Sequence, residues 1–180
     1  MMILSPAAAP ALLTAAASSL ATLHQARELL VARAMSVLGL WALLNMLVSG
    51  YRVARLEPRS EAYHFHLMNA GWGLVNAVLA AAGIVGTHPG QTTGLTLAGL
   101  LADQLRLETL LLFNAGLDVA YLITGSWLRA AALAPAARRP ERLAGFGRSL
   151  WVQGGFLLLF DVGLWLAVHR FLGPLLALVH

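Results

Sequence analysis

The chain has 180 residues, of which 59% are hydrophobic and 11% are charged, and its mean hydropathy is +0.73. A soluble domain is about 45–50% apolar and about 25% charged, so this composition excludes a soluble globular protein and an intrinsically disordered chain. The net charge is +4, and all 12 basic residues are Arg in short segments between apolar runs, which indicates membrane flanks and excludes a nucleic-acid-binding face. The sequence contains no cysteine, so thiolate metal sites are excluded as well. It predicts an integral membrane protein whose partner is the lipid bilayer.

The N-terminal segment, residues 1–23, is uncharged, rich in Ala and interrupted by Pro6 and Pro10. Two interpretations stay open because a positively charged start is missing: a signal peptide with small residues at 15–19 as its cleavage region, or an uncleaved N-terminal helix. In both cases residues 24–180 are predicted to form a single transmembrane domain.

Four segments are long and apolar enough to cross a bilayer, which requires about 20 mainly apolar residues. The predicted spans are residues 34–53, 65–86, 109–128 and 150–168. The predicted fold is therefore all-α, an integral membrane four-helix bundle in which neighbouring helices run up and down.

The Arg residues are distributed unequally between the two ends of this bundle. The loops that join the first to the second span and the third to the fourth span carry eight Arg together, and the other end carries four. The positive-inside rule places the eight in the cytoplasm. Both termini of the four-span core are then predicted on the periplasmic side of a bacterial inner membrane.

The two halves of the chain resemble each other. A shift of 75 residues aligns the first span with the third, so that "LVSGYRVAR" meets "LITGSWLRA". A shift of 85 residues aligns the second span with the fourth and pairs Asn76 with Asp161. We interpret the match as a duplicated two-helix hairpin with a pseudo-two-fold axis along the membrane normal. Chance alignment of helices with similar composition is the competing interpretation.

Each predicted span carries one amide or carboxyl group near its middle, at Asn45, Asn76, Asp118 and Asp161. Four further polar side chains extend this layer: Asn69, Asn114, Tyr121 and Gln153. An ionised carboxylate at the bilayer centre costs about 2.5–3.5 kcal/mol or more, so both Asp side chains are expected to point inward, either protonated or paired with a donor. These eight side chains are the predicted ligand- or ion-binding residues. The alternative is that they only fix helix pairing through hydrogen bonds.

Three segments resemble a small uncharacterised family of bacterial four-helix membrane proteins. They are "YHFHLMNAGWGLVNAVLAAAG" at 63–83, "LLFNAGLDVAYLITG" at 111–125 and "RLAGFGRSLWVQGGFLLLFD" at 142–161, with "FNAGLD" and "FHLMNAGW" as the most specific marks. The resemblance extends from about residue 24 to residue 172. It implies the fold and the topology, and it carries no activity and no site to this chain.

No catalytic residue is predicted, and the sequence leaves the metal and the cofactor unknown because it has no phosphate-binding glycine loop, nucleophile–base pair or zinc spacing. The first functional hypothesis is a non-enzymatic membrane module whose polar layer binds a small ligand, an ion or a partner helix. The alternative is a small channel or transporter in which Asp118 and Asp161 carry a proton or a cation, and an enzyme comes third. Homo-oligomerisation or docking to a larger membrane complex is compatible with a chain of four spans.

Overall fold

The structure, a computed structural model, describes residues 8–179, with side chains from residue 17 onward. These described residues form five helices: α1 (Ala8–Val53), α2 (Glu61–Val85), α3 (Leu97–Ala132), α4 (Pro140–His169) and the short α5 (Leu172–Ala177). Within these described residues there is no β-strand, and α1 to α4 are each long and apolar enough to cross a membrane. The prediction of an all-helical protein with four helices of membrane-spanning length is confirmed.

Each predicted span falls on one of the four long helices, and the helices continue past the apolar segments into polar sequence. Residues 1–7 of the predicted N-terminal segment lie outside the described residues, and from Ala8 the segment continues directly into α1. Local sequence explains where the other helices begin. The hydroxyl groups of Ser60 and Thr96 cap α2 and α3 by accepting backbone N–H groups three residues later. Pro140 occupies the first turn of α4, where its missing N–H has no helical partner to lose.

The four long helices pack as two hairpins, α1 with α2 and α3 with α4, and the hairpins meet mainly along α2 and α4. A glycine sets the close approach inside each hairpin. A Cβ atom on Gly73 would lie 3.0 Å from the carbonyl oxygen of Ala42, and one on Gly154 would lie 3.0 Å from the carbonyl oxygen of Asp118. Small residues at such contacts allow the helix backbones to approach without a hydrophobic driving force, as helices in lipid require.

Helix α3 is held almost entirely by α4. Their contact is closest where Gly125 faces Gly147, since a Cβ atom on either would lie 2.7 Å from the carbonyl oxygen of the other. By contrast, α2 and α3 have almost no backbone contact with each other. The aromatic rings of Trp72 and Tyr121, whose centroids are 4.9 Å apart, bridge the separation. A gap therefore remains between α2 and α3, with α1 and α4 behind it.

Candidate ligand-binding site

A buried amide on α4, Gln153, connects three helices through its side chain. Its Oε1 accepts the indole N–H of Trp41, at 3.0 Å, and the Nδ2 group of Asn76, at 3.5 Å. Its Nε2 group donates to Oδ1 of Asn45 and to Oδ1 of Asn69, each at 3.0 Å. Gln153 is fully buried, so these four bonds replace the contacts with water that the amide has given up.

Two neighbouring bonds extend this arrangement. The hydroxyl of Ser149, one turn before Gln153 on α4, donates to Oδ1 of Asn69 at 2.6 Å. On α1, the Nδ2 group of Asn45 donates to the backbone carbonyl of Trp41 at 2.8 Å. We call the connected set the Gln153 network; its members are Gln153, Trp41, Asn45, Asn69, Asn76 and Ser149. Because it joins α1 and α2 to α4, the network fixes the first hairpin against the second.

The two aspartates lie together about two helical turns farther along α4 than Gln153. Asp118 on α3 and Asp161 on α4 are within side-chain hydrogen-bonding distance of each other, and both are buried, with exposures of 3% and 6%. Two carboxylates in such contact repel, so the pair requires a shared proton or a donor between the carboxyl groups. In the described part of the chain, the Asp161 carboxyl is the one group positioned to share a proton with Oδ2 of Asp118.

Both aspartates line a cavity of about 400 Å³ that all four long helices enclose, here called the central cavity. Asn76, Asn114 and Tyr121 complete its polar floor with the two carboxyl groups. The remaining walls are almost entirely apolar and include Val31, Met35, Leu38, Val75, Leu79, Leu107, Leu110, Leu111, Leu117, Leu157 and Phe160. Small-molecule sites are typically apolar clefts of about 300–1,000 Å³ with a few convergent polar groups, and the central cavity has this character.

The mouth of the central cavity is the gap between α2 and α3. Val75 and Leu79 on α2, and Leu110 and Leu117 on α3, line the cavity and are also 39–54% exposed. They are apolar and lie within helices long enough to span a membrane. In a bilayer this mouth would open sideways toward the acyl chains, and the polar floor lies behind it.

All eight predicted site residues lie inside the bundle or on the cavity, but they form two groups rather than one layer. Asn45, Asn69 and Gln153 belong to the Gln153 network, whereas Asn114, Asp118, Tyr121 and Asp161 line the central cavity. Asn76 belongs to both groups, because it donates to Gln153 and lines the cavity. It is fully buried, and its Oδ1 has no hydrogen-bond partner among the described residues.

Sequence analysis missed two members of the Gln153 network, Trp41 and Ser149. Each lies one helical turn before a residue that was predicted, since Trp41 precedes Asn45 and Ser149 precedes Gln153 by four positions. Residues four apart share a helix face. Extending each predicted polar position by one turn would therefore have found both.

A second set of buried polar residues, also missed, lies at the end of the bundle away from the Arg-rich loops. The carboxylate of Glu28 accepts the backbone N–H of His88 at 2.9 Å and the guanidinium of Arg27 at 2.8 Å. Glu108 accepts the Nε2 group of Gln104 at 2.7 Å and lies 2.9 Å from Nδ1 of His169. In each hairpin a glutamate on the first helix is thus tied to the end of the second. Across the described residues, no group of three His, Asp or Glu side chains could hold a metal ion.

Comparison with known proteins identifies the family of this chain. Residues 37–162 match a family of unknown function (DUF6992), and the chain belongs to that family. The expected membership of an uncharacterised family is confirmed. The matched region contains the Gln153 network and both aspartates. No curated protein and no solved structure matches the chain significantly.

Proposed function

We propose that this DUF6992 protein is a non-enzymatic membrane module that holds one small amphipathic molecule in its central cavity. The observation that supports the proposal most directly is the cavity itself, with apolar walls, a floor of two carboxyl groups, two amides and one phenol hydroxyl, and an apolar mouth between α2 and α3. A molecule with an apolar body and one polar head matches this distribution. It would enter from the bilayer, where such molecules concentrate.

The size of the central cavity favours a small molecule over a partner helix. A helix with its side chains is about 10 Å across and rises 5.4 Å per turn, so three turns occupy roughly 1,200 Å³. This is about three times the 400 Å³ of the cavity. A hydrated ion is also a poor match, because most of the wall offers no oxygen ligand.

Blocking the mouth tests this proposal. Leu79→Trp adds bulk to a residue that lines the cavity and is 54% exposed, and Leu74→Trp makes the same change on the same helix at a residue that is 57% exposed and does not line it. The probes are decylamine, 1-decanol and decanoic acid, counted on the protein by native mass spectrometry after release from nanodiscs. We expect the unaltered protein and Leu74→Trp to retain one molecule of at least one probe, and Leu79→Trp to lose it. Retention by Leu79→Trp, or no retention by the unaltered protein, would overturn the proposal.

A second candidate function is conduction of a proton or a cation, favoured by the contact between Asp118 and Asp161. Asn76 lies between this pair and the Gln153 network, so polar groups continue from the carboxyls toward Ser149 and the Arg-rich end. Toward the opposite end the cavity wall is apolar at Val31, Leu107 and Leu111, which argues against a complete path. Flux through proteoliposomes that disappears in both Asp118→Asn and Asp161→Asn would establish conduction, and background flux in the unaltered protein would exclude it.

The proposal places the protein in a bacterial inner membrane, with the Arg-rich loops at residues 54–60 and 133–139 in the cytoplasm. Arg side chains near these loops stack over aromatic rings, as Arg129 does over Trp151 and Arg148 over Phe65. Such pairs suit the membrane interface, where an aromatic ring meets a charged headgroup region. Homo-oligomerisation or assembly with other membrane proteins is part of the same proposal, because most residues of each apolar segment are not buried inside the bundle.

We also propose that the two hairpins arose by duplication. The equivalent contacts of Gly73 with Ala42 and of Gly154 with Asp118 support it, as do the two buried glutamates at equivalent ends. The contacts match Ala42 on α1 with Asp118 on α3, which is within one residue of the sequence alignment. They match Gly73 on α2 with Gly154 on α4, which is about one helical turn from the residue that the sequence alignment gives. The match of Ala42 with Asp118 places Glu28 opposite Gln104, one helical turn before Glu108. The sequence alignment instead pairs Glu28 with Asp103, which is exposed.

A further inference from the structure

The most deeply buried polar atoms on the floor of the central cavity that lack a partner are hydrogen-bond acceptors. Asn76 Oδ1 and Asp118 Oδ2 are buried and have no partner among the described residues, apart from the neighbouring Asp161 carboxyl. The donor group of Asn76 is already directed to Gln153, at 3.5 Å. Leaving a buried acceptor without a donor is costly, and the cost is removed when a ligand supplies the donor.

The charges at the cavity point to the same ligand chemistry. Among the described residues that line the cavity, the charged ones are Asp118 and Asp161, and there is no Arg and no His. The buried Arg27 is engaged with Glu28 near the end of α1, and it does not line the cavity. A positive group placed between the two carboxyls would relieve their repulsion, whereas a negative group would increase it.

We infer that the ligand of the central cavity carries a primary amine or another N–H-bearing cation at one end of an apolar body. This inference rests on the proposed function and specifies its ligand class. The ammonium head lies on the floor and donates to Asp118, Asp161 and Asn76, and the apolar body extends toward Val75 and Leu110 at the mouth. An ammonium group has three donors in tetrahedral directions, enough for three acceptors on three different helices.

Other head groups satisfy the floor less well. A hydroxyl supplies a single donor and no charge, so it satisfies one acceptor and leaves the carboxyl pair unrelieved. A carboxylate brings a negative charge beside the carboxyl groups of Asp118 and Asp161 and supplies no donor to the buried acceptors. A bare metal cation would find oxygen ligands on the floor, but it would leave the apolar walls from Leu38 to Leu111 without a partner.

The test compares head groups on the unaltered protein in nanodiscs, with decylamine, 1-decanol, decanoic acid and decyltrimethylammonium as probes of equal chain length. We expect decylamine to bind about tenfold or more tightly than 1-decanol, since hydrogen bonds to charged groups contribute about 1.5–3 kcal/mol. Decyltrimethylammonium, which has the charge but no N–H donor, should bind more weakly than decylamine, and decanoic acid should bind most weakly. This comparison requires no variant to fold.

The second part of the test replaces the carboxyl groups on the floor of the cavity. Asp118→Asn should weaken decylamine binding about tenfold or more while 1-decanol binding changes little, and the retained 1-decanol binding shows that the cavity is intact. Asp161→Asn should give the same result if Asp118→Asn does not fold. Asp103→Asn, an exposed aspartate on the same helix as Asp118, is the matched control and should leave both affinities unchanged.

The outcomes separate this inference from the proposed function. Equal affinity for all four head groups, with binding abolished by Leu79→Trp, would overturn the amine assignment and leave the module function in place. Absence of binding for every probe would overturn both. Preference for decylamine that survives both Asp118→Asn and Asp161→Asn would also overturn the assignment, because the preference would then come from the chain and not from the carboxyls.

Discussion

The Gln153 network and the floor of the central cavity lie about two helical turns apart along α4 and contain the same kinds of polar side chain, but they differ in how fully those side chains are hydrogen-bonded. Gln153 makes four side-chain bonds to α1 and α2. Among the described residues, Oδ2 of Asp118 has no hydrogen-bonding partner other than the Asp161 carboxyl. A fully hydrogen-bonded amide such as Gln153 fixes helix pairing, whereas unsatisfied acceptors beside a cavity can gain from a ligand. Polar groups inside one bundle can therefore divide into a structural set and a binding set.

The largest effect on stability is expected from Gln153→Leu. The change removes four hydrogen bonds, each contributing about 0.6 kcal/mol in membrane helices, so the free energy of unfolding should fall by roughly 2–3 kcal/mol. Reversible unfolding in mixed micelles measures the loss. The control is Gln25→Leu, an exposed amide on α1, which should change stability by less than about 0.5 kcal/mol. Equal losses in the two variants would contradict the structural role of the network.

An intermediate effect is expected from Gly154→Ala, which changes the face of α4 that contacts α3. The new Cβ atom would lie 3.0 Å from the carbonyl oxygen of Asp118 and 3.1 Å from Cβ of Tyr121, so α3 must shift away. Overpacking of this kind costs about 1–3 kcal/mol, and the lower end is expected because α3 has few other contacts.

The adjacent glycine provides the control. A Cβ atom on Gly155 has no atom within 4 Å to meet, so Gly155→Ala should be neutral or stabilise the helix by up to about 1 kcal/mol. The same unfolding measurement applies to both variants. A loss in Gly155→Ala as large as in Gly154→Ala would show that the close α3–α4 contact is not the cause.

The smallest effect on stability is expected from Asp118→Asn. The amide keeps the shape of the side chain, can donate to Asp161 and removes the repulsion between the two carboxyls. The free energy of unfolding should change by less than about 1 kcal/mol, or increase. Unfolding without added ligand measures it. A loss comparable to that of Gln153→Leu would assign Asp118 to the structural set and end the distinction between the two regions.

The sequence was sufficient for the fold class and for part of the buried polar set, since it missed Ser149 and the groups around Glu28 and Glu108. Apolar runs of spanning length predicted all four long helices, because few other structures can use such runs. The rule that carboxyl and amide groups avoid lipid was enough to select all eight residues, among them Gln153 on a helix that is otherwise apolar around it.

The division of those residues into two groups could not be predicted from sequence. It depends on the side of α4 on which each neighbour packs, and that is decided by glycines such as Gly145 and Gly147, whose contacts are with backbone atoms of other helices. The gap between α2 and α3 is equally a matter of three-dimensional packing. Helix periodicity shows that Asn76 and Asp118 face inward, but it does not show that the space between them is open.

The contact between Trp72 and Tyr121 has a practical consequence for observing the protein. These rings meet across the mouth side of the bundle, 4.9 Å apart, on two helices that otherwise hardly touch. Excitation energy absorbed by a phenol passes readily to a nearby indole, so Tyr121→Phe should lower the share of tryptophan emission that is excited through tyrosine. The chain has three tyrosines, so the difference between the unaltered protein and Tyr121→Phe isolates the part of the transfer that starts at Tyr121.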